Sequence, residues 1–376
     1  MINFNECSIT DKEKEYVADA LLKKQCGDGG YTKKAYSLFE EKLNISNLLL
    51  TTSCSTSLDM TAILADIKEG DEVILPSYTF VSTANAFVLR GAKPVFCEIE
   101  KDTLNIDADR IEELITPKTK AIYPVHYAGV VCDMDKILDI AKRHNLYVIE
   151  DAAQAVGSVY KGKFPAGTIG NMGCFSFHET KNYTMGEGGA LIVKDNLLYK
   201  KAEIIREKGT DRSQFIRGEI DKYTWKMAGS SYLPSDILAA LLCAQLERFD
   251  EIMDKRMHVW NRYNDAFESL EKDGKLRRPV IPEYSNHNAH MYYFLVSDNE
   301  KRNAMLSFLK ENGIGAVFHY IPLHTSDMGE SLGYKKGDLP ITEDLASRLI
   351  RLPLHSNLTE SDIDYIIAKV TEYLND

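Results

Sequence analysis

Leu146 to Gln154 reads LYVIEDAAQ, an apolar run that ends in Glu150-Asp151 and passes into small residues. A short apolar run of this kind predicts a strand buried on both faces, as in a mostly parallel sheet covered by helices. Such sheets bind ligands beyond the carboxyl ends of their strands. Asp151 stands at that end. A carboxylate there can hold a cationic ring nitrogen; it can equally cap the start of a helix.

The same pattern repeats on either side. Leu48–Leu50, Glu72–Leu75 (stopped by Pro76), Pro94–Cys97, Ala121–Val125, Gly173–Phe177 and Gly189–Val193 all read as short strands, although Pro124 is awkward inside one. Helix-like LDMTAILADI and MDKILDIAKRH lie between them. Strands alternating with helices predict an α/β fold. After about residue 235 the character changes. A long helical stretch through 235–270 has the length to bridge two domains. Strand-like MYYFLV, helix-like RNAMLSFLKENG, strand-like AVFHYI and helix-like SDIDYIIAKVTEYL follow, which predicts a smaller α+β domain. The expected division is a large domain over 1–250, with an N-terminal arm, and a small domain over 251–376.

Two further stretches complement Asp151. In FSFHETKNYTMGEGG (175–189) a strand runs into a polar loop carrying Lys181, then into glycines. Lysine is ordinarily a surface charge, yet a desolvated one at a strand end loses its proton and can form an imine. In TTSCSTSLDM (51–60) a strand, a hydroxyl cluster and a helix start follow in order. Such a helix start presents backbone N–H groups to an anion, with Ser and Thr hydroxyls beside them. It also reads as an ordinary cap. An anion cup, an acid for a ring nitrogen and an imine-forming lysine are the three handles of pyridoxal 5'-phosphate. Phe80 or Tyr78, in PSYTF, can cover the ring face.

Bulk properties narrow the choice. The chain has 376 residues and a formal net charge of −11, which argues against nucleic acid as the main partner. The seven cysteines are widely spaced, without C-x-x-C; reduced thiols fit better than disulfides or zinc. No signal-like segment and no apolar run near ~20 residues occurs, so a cytoplasmic, non-membrane protein is expected. Gly157 to Lys163 spells G-x-x-x-x-G-K, but Phe164 stands where a P-loop needs Ser or Thr. No G-x-G-x-x-G appears. His287 and His290 have no obvious third ligand, so no metal is expected.

With these pieces together, the sequence resembles the DegT/DnrJ/EryC1/StrS sugar aminotransferases nearly end to end. The stretches that carry the resemblance are CGDGGYT (26–32), LPSYTFVSTANAFVLRGAKPVF (75–96), PVHYAG (124–129), VIEDAAQAVG (148–157), FSFHETKN (175–182) and FHYIPLH (318–324). The resemblance implies the aspartate aminotransferase (type I) fold and pyridoxal phosphate as cofactor. It implies that Lys181 is the Schiff-base lysine and proton shuttle. Asp151 would pair with the pyridine nitrogen, Gln154 sit near the 3-hydroxyl and Phe80 stack on the ring. Ser55, Thr56 and Ser176 would contact the phosphate. Ser231 would reach it from the neighbouring subunit of a homodimer, in the place of the Asn of a G-Y-N-Y-R stretch; Leu233 replaces that Arg. Gly29, Gly30 and Tyr31, with His319, Tyr320 and His324, are the implied substrate contacts. The implied substrates are L-glutamate and a nucleotide-linked keto sugar. RGEIDKYTW (217–225) and GSSYLPSD (229–236) point to a branch that aminates a dTDP-linked 4-keto-6-deoxy sugar. Two alternatives are a sugar dehydratase of the same fold, in which His replaces the lysine, and a non-catalytic regulatory protein on this scaffold.

Overall fold

The computed structural model describes residues 1–23 and 25–375. Its strands are β1 (Leu48–Thr51), β2 (Glu72–Pro76), β3 (Lys93–Cys97), β4 (Thr119–Ile122), β5 (Tyr147–Asp151), β6 (Val159–Tyr160), β7 (Phe164–Pro165), β8 (Met172–Ser176), β9 (Gly189–Val193), β10 (Ser285–Asn286), β11 (Tyr292–Leu295) and β12 (Leu349–Leu352). Seven of them form one sheet in the order β1-β9-β8-β5-β4-β2-β3. β2, β3, β4, β5 and β8 run parallel, while β9 is antiparallel to both its neighbours. β1, β8 and β9 are buried along their whole length. Their continuous apolar character follows from helices covering both faces.

Local chemistry sets the element ends. β5 continues past the apolar run to Asp151, and so carries that carboxylate to the sheet's carboxyl edge. β4 stops at Ile122, short of the expected Val125. Pro124 has no N–H to donate to a ladder, and Val125 makes only an isolated bridge to Asp151. The helix Met134–His144 buries Met134, Ile137, Ile140 and Ala141 on one face. Asp133 caps its start by accepting from Lys136 N–H, and Asn145 ends it in the left-handed region at φ 54°.

The expected long helix over 235–270 is three helices, Asp236–Glu247, Phe249–Ala266 and Glu268–Lys272. At the first break Arg248 leaves helical geometry (φ −103°, ψ 21°). Its guanidinium is held by Glu13 at 2.9 Å and the Ser8 carbonyl at 3.2 Å, so the N-terminal segment is tied to the bend. AVFHYI is not a strand. Only Val317 bridges to Arg351, because the chain then turns His319 and Tyr320 into a cavity before Pro322.

The core on one face of the sheet closes with Phe249 and Ile252, while the core on the other face also takes in Leu323 and Leu339. A separate core begins at Val259 and runs to Leu374, and it includes β11 and β12, paired antiparallel. Among the described residues every cysteine is unpaired, and no helix is long and apolar enough to cross a membrane.

Candidate active site

A cavity of about 410 Å³ opens at the carboxyl edge of the sheet, and Lys181, Asp151, Gln154, Phe80, Ser55, Ser176, His319 and Tyr320 all stand in its wall. The sequence spreads these residues over most of the chain; the parallel strands bring them to one edge.

Each side chain is aimed by its own element. Asp151 ends β5, is buried, and accepts from Thr83 Oγ1 at 2.6 Å and from Ala153 N–H at 3.1 Å. The neighbouring Glu150 points the other way. It accepts three backbone N–H groups, from Gly167 (2.8 Å), Ile169 (2.7 Å) and Gly170 (2.7 Å). His126 Nε2 lies 2.8 Å from the same carboxylate. Since His126 Nδ1 accepts from Cys132 N–H, Nε2 is the protonated nitrogen and donates to Glu150. Alternation along the strand therefore divides the two acids between a structural role and the cavity.

Ser53 caps the helix Cys54–Leu64, accepting from Thr56 N–H at 3.1 Å. The N–H groups of the first turn have no intrahelical partner and face the cavity side with Ser55, whose hydroxyl meets Ser82 Oγ at 2.7 Å. A Cβ at Gly189 would collide with the Ser53–Cys54 backbone, so this glycine lets β9 pack against the helix start. Phe80 is the N-cap residue of the helix Val81–Val88 and is 58% exposed at the cavity mouth. Gln154 accepts from Ala128 N–H at 2.7 Å and donates to Tyr320 Oη at 3.1 Å.

Lys181 is half-buried, and among the described residues its Nζ has no hydrogen-bond partner. Desolvation pulls its ammonium below the ordinary lysine range, and the positive charge of Arg351 acts in the same direction. Its loop is pinned through the next residue: Asn182 Oδ1 accepts from His290 Nδ1 at 2.8 Å, and Asn182 Nδ2 donates to the Asn288 carbonyl at 2.8 Å.

Other expected contacts lie outside this wall. Thr56 turns its hydroxyl back to the Ser53 carbonyl at 2.8 Å, so it completes the cap rather than the cup's inner face. His324 is fully buried between Ser77 Oγ (2.7 Å) and Glu343 Oε1 (3.0 Å) and ties β2's end to the C-terminal core. Gly29 is the N-cap of the helix Gly30–Leu43, with no room for a Cβ against Asp236, and Gly30 is open. Tyr31 donates to Asp19 Oδ2 at 2.6 Å. Ser231 is exposed and bridges to Glu207.

Phe4, Ser82, His290 and Arg351 are among the wall residues that escaped the sequence reading. Ser82 follows Phe80 in a stretch already singled out, so its position was the available signal. His290 was weighed only as a metal ligand. Nothing local marks Phe4 or Arg351, which reach the cavity from the N-terminal segment and from β12.

The wall suits a phosphorylated pyridine aldehyde. A helix start with two hydroxyls matches its phosphate, a buried carboxylate its ring nitrogen, an unpartnered amine its carbonyl and an exposed aromatic its ring face. This is the site of a pyridoxal 5'-phosphate-dependent enzyme of the aspartate aminotransferase (type I) fold. The profile of the DegT/DnrJ/EryC1/StrS aminotransferase family matches residues 7–371, and the chain belongs to that family. It is 34% identical to GDP-perosamine synthase of Caulobacter vibrioides over 97% of this chain and 96% of that one. An aminotransferase from Psychrobacter cryohalolentis superposes with a TM-score of 0.93 at 28% identity, covering 98% of each chain. Helicobacter pylori PseC, an aminotransferase involved in the biosynthesis of pseudoaminic acid, gives a TM-score of 0.90 at 26% identity, covering 100% of this chain and 99% of that one.

When bound, the cofactor supplies an electron sink for the carbon that loses its proton. Asp151, its carboxylate fixed by Thr83, would be the residue to hold the ring nitrogen's positive charge. Lys181 Nζ, whose pKa desolvation lowers, would be the group placed to carry a proton to and from the reacting carbon. Burial pushes the pKa of His290 and His319 well below the ordinary histidine range.

Proposed function

We propose that this aminotransferase converts dTDP-4-dehydro-6-deoxy-D-glucose to dTDP-4-amino-4,6-dideoxy-D-galactose, with L-glutamate as amino donor. The reading rests on the branch stretches CGDGGYT, FSFHETKNYT, RGEIDKYTW and GSSYLPSD. Lys181, present where the dehydratase branch has His, favours transamination over dehydration. Retention of Lys181, Asp151 and the helix-start cup favours an enzyme over a regulatory protein on the same scaffold.

A homodimer is part of this reading. Trp225 is 79% exposed and Ile216 58% exposed, an apolar surface of the kind a second copy covers. Ser231, Gly29 and Tyr31, which lie outside the cavity wall of one protomer, would then meet the cavity of the other. The unpaired cysteines suit work in the reducing cytoplasm. A second reading keeps the chemistry and changes the sugar: the gluco epimer, or another nucleotide, as the GDP-sugar relative illustrates.

The test is incubation of holoenzyme with dTDP-4-keto-6-deoxyglucose and L-glutamate. The expected product carries an axial C4 amine by NMR. An equatorial amine selects the gluco reading, and no amination of this sugar overturns the assigned substrate.

A further inference from the structure

His290 stands in the cavity wall, only 7% exposed, and its two ring nitrogens have different fates. Nδ1 lies 2.8 Å from Asn182 Oδ1. The amide nitrogen of Asn182 is occupied elsewhere: it donates at 2.8 Å to the Asn288 carbonyl, which can only accept. Asn182 Oδ1 is therefore an acceptor, and His290 Nδ1 must carry the proton donated to it. The neutral ring then presents a bare lone pair on Nε2. Among the described residues nothing donates to that lone pair, and Nε2 is not sealed among protein atoms but opens on the cavity. Burial and the positive charges of Lys181, Arg256 and Arg351 all act against a second proton on the ring.

The backbone holds the ring in this pose. The His290 carbonyl accepts from Arg256 Nη2 at 2.6 Å, and its N–H donates to Asn288 Oδ1 at 3.0 Å. Asn288 in turn donates to the carbonyls of Gln154 at 2.9 Å and Val156 at 3.0 Å. Ala289, between them in the chain, sits in the left-handed region at φ 47°, a conformation that a non-glycine residue keeps only where its surroundings enforce it. One buried network thus fixes His290, Gln154 and, through Asn182, the loop of Lys181.

A buried acceptor without a donor is unsatisfied until something brings it an N–H or O–H group. Lys181 is close enough for its charge to act on the ring, and an aminotransferase has to bring a substrate amine to that lysine. At neutral pH the amine arrives as an ammonium, a group with three donors and no acceptor. Two other acceptors of the wall are engaged. Asp151 accepts from Thr83 and Ala153, and Gln154 Oε1 accepts from Ala128 N–H. A neutral acceptor also suits the chemistry better than a carboxylate. It orients the ammonium without the charge pairing that would raise the amine's pKa and keep its nitrogen from becoming nucleophilic.

We propose that His290 Nε2 accepts a hydrogen bond from the ammonium group of the amino donor and so sets the donor's nitrogen beside Lys181, with Asn182 fixing the ring tautomer for that task. The binding test uses L-glutamate and rests on the donor in the function proposed above. In stopped flow, saturation of the bleaching rate of holoenzyme gives the dissociation constant of the first complex. Glutarate, the same dicarboxylate without the amine, is measured beside it as a competitor. His290→Phe should weaken L-glutamate by roughly 10–100-fold, the size of a hydrogen bond to a charged group, and leave glutarate unchanged. His290→Gln, whose Oε1 can take the place of Nε2, should recover most of that loss. Unchanged L-glutamate binding in His290→Phe overturns the inference. Equal weakening of both ligands, or a fall in cofactor affinity that His290→Gln does not restore, also overturns it, by making the residue structural. A second arm needs neither the donor nor a folded His290→Phe. Nitrogen NMR of histidine-labelled wild-type holoenzyme, with the signals assigned by their loss in His290→Gln, should show Nδ1 protonated and Nε2 bare. A protonated Nε2 overturns the inference alone. If L-glutamate does not bleach wild-type holoenzyme, the donor reading fails, and the tautomer still decides the part of His290.

Discussion

Thr83 donates its hydroxyl to Asp151 at 2.6 Å, so the carboxylate at the end of β5 is aimed by the same helix whose N-cap, Phe80, stands at the cavity mouth. Acid and aromatic are thereby set by one rigid element. Thr83→Val keeps the shape and removes the donor. A hydrogen bond to a charged group contributes about 1.5–3 kcal/mol, so the variant should lose roughly 10–100-fold in kcat. Its thermal stability should change little. Steady-state kinetics beside a melting curve checks both; a kcat within twofold of wild type would rule out this aiming role.

Asp151→Asn should lower kcat by several orders of magnitude. A neutral amide gives no charge to a protonated ring nitrogen, and the cofactor becomes a poor electron sink. A mild effect in stopped-flow half-reactions would count against the pairing.

Lys181→Ala should abolish turnover while leaving noncovalent cofactor binding. Borohydride should attach the cofactor to the Lys181 peptide in wild type and to no equivalent peptide in the variant, as read by mass spectrometry. Because burial lowers the lysine's pKa, cofactor-free wild type should react with amine reagents at Lys181 at a lower pH than at surface lysines.

Glu150→Gln places an amide against three N–H donors and His126. Breaking a buried, paired carboxylate costs about 3–5 kcal/mol, so the melting temperature should fall by several degrees. Retained stability would show that the loop over Gly167–Gly170 can repack.

His287 is held at a pKa of about 4 by burial, below the ordinary value near 6.5. The unfolded chain therefore binds more protons between those limits, and stability rises with pH across that interval. Acidification from about pH 6.5 toward 4 should destabilise the fold through this group. His287→Gln retains an acceptor for the Ala289 N–H, which now lies 3.1 Å from Nδ1, and should flatten that part of the profile. An unchanged slope in urea melts at several pH values would exclude His287 as a source.

Local order along the chain carried much of this molecule. Apolar runs such as LYVIED and GALIV marked strands of a sheet buried on both faces, because a strand covered on both faces needs no alternation, whereas the antiparallel direction of GALIV was decided by the tertiary structure. FSFHETKN and TTSCSTS marked the lysine and the anion cup, because those chemistries need particular residues next to a strand end. Backbone breaks were less legible. Arg248 interrupts an otherwise helical pattern because the N-terminal segment binds its guanidinium, a contact between residues far apart in sequence. AVFHYI has strand composition, yet its tyrosine and histidine serve the cavity.

Only the tertiary structure decided which polar residues face the ligand. Asp151 and Glu150 are adjacent acids, and pleat alternation sends one to the cavity and the other to His126. His324 and His319 belong to one motif, and packing buries the first between Ser77 and Glu343. Arg351 acquires its place from β12's register, and its unpaired charge exists only because folding removed water without supplying a carboxylate. Periodicity is a property of neighbours in the chain, whereas desolvation and pairing are properties of neighbours in space.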